Sequence, residues 1–157
     1  QLRTGTSDVA QQEREKLHNK WLDLITDTAG GDQDAAQYLY TLGMIVRIID
    51  DVYDEDQSVT KDDLMITFER LFIELPNNKF YREYEYILLS QHISMWNAWK
   101  SANSHEHGDV TDQIYAHVWR DNYIEVYPIV AMLTQGHAAM DRISEQVRSI
   151  YKKNLGE

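Results

Sequence analysis

The chain has 157 residues, 43% of them hydrophobic, and a formal charge of -11 from 15 basic and 26 acidic side chains. That length can bury one core without covalent staples, and the absence of cysteine excludes disulfides, thiolate metal sites and a cysteine nucleophile. An acidic surface repels phosphate backbones and anionic leaflets, so neither nucleic acid nor membrane is expected as a partner.

In chain order, residues 1–8 are polar and are expected to form a flexible tail, followed by one helical domain over 9–157. Leu17, Trp21, Leu24, Ile25 and Thr28 recur at helical steps and predict a helix from about Val9 to Ala29. Gly30-Gly31-Asp32 punctuates it, and Asp32 or Asp34 can cap the next helix, which runs to about Asp54. Tyr38, Leu42, Ile45, Ile49 and Val52 form its stripe. Leu39, Met44, Val46 and Ile48 widen that stripe to the breadth of a central helix.

Thr60 with Asp63 reads as a capping box for a third helix carrying Leu64, Phe68, Leu71, Phe72 and Leu75. Pro76-Asn77-Asn78 ends it. A long fourth helix to about Asn103 is expected to carry Phe80, Tyr84, Ile87, Leu88, Met95, Trp96 and Trp99, most of them in the core. After the Ser104–Asp109 loop, a fifth helix runs to about Tyr127, where Pro128 must kink or restart it. A last helix from about His137 to Asn154 turns Met140, Ile143, Val147, Ile150 and Tyr151 inward. The fold class is therefore all-α, a single-domain bundle of five to seven helices. Tyr81, Tyr86, Tyr123 and Tyr127 fall off the inward stripes, a pattern that suits a protein partner or self-association into a dimer.

Two clusters offer chemistry. Asp50 and Asp54 are four apart, share a helix face with Asp51 close by, and can reach one hard cation such as Mg²⁺ through oxygen. On a helical wheel all three lie opposite the apolar stripe, and Arg47 is spaced to pair with Asp51, so a solvated acidic helix end is the favoured alternative. In the fifth helix, His117, Asp121 and Glu125 stand at four-residue steps. Glu125 falls in the apolar sector set by Ile114, Tyr115, Val118, Val126, Ile129 and Leu133. A carboxylate there needs a cationic, hydroxyl or metal partner. An enzyme built from these parts would converge Asp50 and Asp54 with Asp121 and Glu125 around Mg²⁺, with Arg47 or Arg120 holding a substrate phosphate. The competing reading is a buried polar network that sets helix register.

The run Ile48-Ile49-Asp50-Asp51-Val52-Tyr53-Asp54 resembles the aspartate-rich Asp-Asp-x-x-Asp motif of isoprenoid and terpene synthases. That resemblance implies Mg²⁺ held against a diphosphate. Segments 49–54, 74–82 and 118–123 also resemble small all-helical phage and bacterial proteins of no assigned function, which implies a phage or bacterial origin and a fold class. No leader pattern opens the chain, Gln1 is read as the start of a trimmed or processed chain, and a cytoplasmic location is expected. The balance of these readings is a non-catalytic interaction or self-associating module, with the Mg²⁺-dependent phosphate enzyme as the alternative.

Overall fold

The computed structural model describes residues 4–152, with side chains from residue 7 onward. Among these residues the chain is all-α, with seven helices of nine residues or more and no strand. Helix α1 (Thr4–Ala29) begins earlier than Val9, so residues 4–8 of the expected tail are helical, and residues 1–3 lie outside the described residues. Every side chain from Ser7 to Lys20 is exposed. The first half of α1 projects from the body, and Leu17, expected inward, is 57% exposed.

Helix α2 (Gln33–Tyr53) is capped by Asp32, whose carboxylate accepts from the Ala35 N–H at 3.0 Å. It buries Ala35, Tyr38, Leu39, Leu42 and Ile45 and is the central helix. Helix α3 (Lys61–Glu69) opens with the expected Thr60–Asp63 capping box. The chain then widens into a π turn over Arg70–Glu74 before the single turn α4 (Leu75–Asn77). Pro76 explains the widening: it lacks an N–H and its ring would clash with the carbonyl one turn back.

The expected fourth helix is two. Helix α5 (Lys79–Glu83) stops at Tyr84, whose φ of -113° and ψ of 22° are not helical, and α6 (Glu85–His105) starts anew. Helix α7 (Val110–Arg120) carries its own capping box from Asp109 and Asp112. A 3-10 turn over Asp121–Glu125 leads into α8 (Val126–Gln135). Pro128 thus falls in the first turn of α8, where a missing N–H costs little. Gly136, at φ 95°, turns the chain back into α9 (His137–Tyr151). That left-handed conformation is one a Cβ would strain.

The core lies where the second half of α1 meets α2, α8 and α9. Leu24, Tyr38, Leu39, Val126, Tyr127, Val130, Ile143 and Val147 are fully buried, and each such aliphatic side chain contributes about 1.5–3 kcal/mol. Across α1 and α8 the Trp21 indole N–H donates to the Tyr127 hydroxyl at 2.7 Å. Tyr123 adds a hydroxyl–hydroxyl bond to Tyr127 at 2.9 Å.

The 3-10 turn corrects the wheel drawn through the fifth helix. At three residues per turn instead of 3.6, five residues rotate the face by roughly 100°. Val126 is accordingly buried, while Ile114, Tyr115 and Val118, expected on the same buried side, are 45%, 53% and 57% exposed. The tyrosine expectation is corrected too. Tyr81 and Tyr127 are buried and Tyr123 is half-buried; of the four, Tyr86 alone is exposed, at 91%. No helix of the described residues is long and apolar enough to cross a membrane.

Gly43 lets α2 approach α1. A Cβ there would stand 2.5 Å from Trp21 Cζ2. Trp21 cannot yield easily, being held by Tyr127 and stacked on Tyr40 with centroids 5.5 Å apart. Gly43→Ala is therefore expected to lower stability by about 1–2 kcal/mol despite alanine's better helix propensity, read as a lower urea midpoint with an unchanged slope.

Candidate functional site

The acidic run at the end of α2 is engaged with the fold. Asp50 is half-buried, and its Oδ1 accepts from the Trp99 indole N–H of α6 at 3.1 Å. Trp99 in turn meets Tyr53 edge-on, centroids 5.1 Å apart. Asp50 is thus a tie between two helices and no simple solvated helix end. Asp51 pairs with Arg47 at 3.9 Å, the i to i+4 pair expected. Partial burial, and after it the Asp56 charge, pushes its carboxyl above the ordinary range. Asp54 is exposed and caps α2 through its backbone N–H, bonded to the Asp50 carbonyl at 2.9 Å.

The second cluster does not form one stripe, because the 3-10 turn runs through it. His117 is half-buried on α7, and Asp121 opens the turn. Burial raises the Tyr151 hydroxyl above its ordinary value, and the nearby Asp121 charge adds to that rise. Glu125 closes the turn and accepts from Arg148 of α9 at 2.8 Å. The partner that Glu125 needed is thus a guanidinium. Arg120 is committed as well, donating to Asn103 at 2.8 Å and to Glu106 at 2.7 Å, which ties α7 to the end of α6.

Among the described residues no group of three or more His, Asp or Glu is placed to hold a metal ion. The structure therefore does not draw Asp50, Asp51, Asp54, Asp121 and Glu125 into one ligand set. Two shallow depressions are open to solvent. One lies between α1 and α2 around His18 and Arg47, the other around Asp121, Arg148 and Tyr151, and neither is lined by tryptophan.

A second polar centre was not legible in the sequence. The Tyr38 hydroxyl and His92 Nε2 share a hydrogen bond of 2.7 Å, and the imidazole, Tyr38 and Tyr81 form a triangle of near-parallel rings, with centroids 6.0, 5.7 and 6.1 Å apart. Burial pushes His92 down to about 4 and raises the Tyr38 hydroxyl well above its ordinary value. No buried side-chain nitrogen or oxygen of the described residues lacks a partner, so this centre is a satisfied structural network.

The surface tells more than the interior. Of the 21 residues of α6, only Leu88 and Ala102 are buried. Tyr86, Leu89, Ile93 and Trp96 are 91%, 45%, 64% and 49% exposed. Trp96, expected in the core, faces outward and stacks on Trp99 at 5.2 Å. Helix α3 buries only Thr67, and Met65, Phe68, Phe72 and Ile73 of α3 and the π turn are each more than half exposed. One sequence signal marks the α6 face: residues 86–99 contain no Asp, Glu, Lys or Arg, in a chain that is 26% charged. No protein-family model, curated protein or solved structure matches the chain.

Two measurements follow from this geometry. Mg²⁺ titrated calorimetrically is expected to give no saturable heat that disappears in an Asp50→Asn/Asp54→Asn variant. For His92, the unfolded side chain titrates near 6.5 and the folded one near 4. Between those values the unfolded chain holds more protons. The stability is therefore complete above the unfolded value and falls as pH drops toward 4, by about 3 kcal/mol. Urea midpoints across that range should show the loss, and His92→Gln should flatten it.

Proposed function

We propose that this chain is a non-catalytic interaction module that offers an apolar helical face to another protein chain. The observation that carries the reading is the exposure of α6. A helix of 21 residues that buries two of them while displaying Tyr86, Leu89, Ile93 and Trp96 lacks a packing partner on one side. Depletion of charge around exposed aromatics is the composition of an interface core.

The ionisable residues support the same reading. Asp50, Glu125 and Arg120, the groups that a phosphate enzyme would need free, are each committed to a contact within the fold. The acidic character of the rest of the surface keeps non-specific contacts away from nucleic acid and leaves the apolar face as the place of attachment.

The test is the binding of Nile red, an uncharged dye, to protein diluted to low nanomolar concentration. Fluorescence enhancement is expected in the wild type. It should fall in an Ile93→Glu/Phe72→Glu variant whose far-ultraviolet circular dichroism is unchanged. A wild type that gives no enhancement has no accessible apolar face, and the reading is then wrong.

A further inference from the structure

We infer that the α6 face is the core of a two-fold interface with a second copy of this chain, the two α6 helices packing antiparallel. This rests on the interaction-module reading and names its partner. The exposed residues Tyr86, Leu89, Ile93 and Trp96 are spaced three, four and three apart, the seam of a helix pair. The stripe is also self-complementary: aromatic at both ends, aliphatic at both inner positions. Set antiparallel about a two-fold axis near residue 91, Leu89 of one copy lies opposite Ile93 of the second, and Tyr86 opposite Trp96. A two-fold contact requires such reciprocity.

Charge selects the same arrangement. Residues 86–99 carry none, so two chains of charge -11 can meet there without opposing like charges. The nearest flanking charges on α6 itself are Glu85 before the stripe and Lys100 after it, both exposed. Antiparallel packing brings Glu85 toward Lys100 of the second copy, within about one helical turn. Parallel packing sets like against like. The exposed apolar residues of α3 and the π turn, by contrast, are interleaved with Glu69, Arg70 and Glu74.

The experiment uses the full chain, which has no cysteine of its own. Sedimentation at micromolar concentration is expected to show a dimer that tightens as sodium chloride is raised, since salt screens the repulsion of two acidic chains. Ile93→Glu should raise the dissociation constant by about thirtyfold or more. Leu89→Cys and Ile93→Cys proteins, oxidised separately, should stay uncrosslinked, and their mixture should give a covalent dimer, because 89 faces 93 across the axis and neither faces its own equivalent. These two exposed positions keep the test independent of whether the glutamate variant folds.

A wild type that sediments as a monomer overturns the proposal, as does a dimer that weakens with salt or survives Ile93→Glu. Crosslinking of the separate proteins but not of the mixture overturns the antiparallel geometry. A monomer that still enhances Nile red leaves the interaction module standing and removes only the second copy as its partner. A chain that does neither removes both.

Discussion

The Trp21–Tyr127 hydrogen bond is the contact on which the fold turns. It joins residues 106 apart, at 2.7 Å, where α1, α2 and α8 converge. The indole is stacked on Tyr40, and Gly43 gives it room against α2. Tyr123 bonds to the same hydroxyl and meets Tyr151 edge-on at 6.4 Å, which extends the cluster to α9. A donor-only indole buried among apolar groups must find an acceptor. Satisfying it here sets the relative heights of helices from the two ends of the chain.

That core is one-sided. It secures α1, α2, α8 and α9, while α6 reaches it only through Leu88 and Met95, and α3 and α7 bury a single residue each. These helices are held instead by specific polar and aromatic ties: Tyr38 and Asp50 of α2 to His92 and Trp99 of α6, and Arg120 of α7 to Glu106. Each tie is worth far less than a buried apolar face. The peripheral helices therefore present apolar surface that the chain itself never covers, and this is the physical root of the interaction reading.

The same economy explains the acidic residues. Carboxylates at the end of α2 look from their spacing like a cation site, but an indole donor from another helix reaches Asp50 first. Glu125 looks anomalous in an apolar sector until α9 brings Arg148 to it. In both cases, the partner comes from an element distant in sequence.

Local signals carried much of the fold. The Asp32 cap, the two capping boxes, the break at Gly136 and the stripes of α2 and α9 are short-range physics, written into neighbouring residues. They determined an all-α bundle and the starts of α2, α3, α5, α7 and α9, but not those of α1, α6 and α8. Tertiary structure decided which apolar faces meet. A 3-10 turn rotated α7 relative to α8 and sent Ile114 and Val118 to the surface, while Trp96 turned outward because nothing packs above it. Helical periodicity states that a stripe exists; whether it is covered depends on how much partner surface the rest of the chain can bring to it, and the Tyr86, Leu89, Ile93 and Trp96 stripe of α6 is left open.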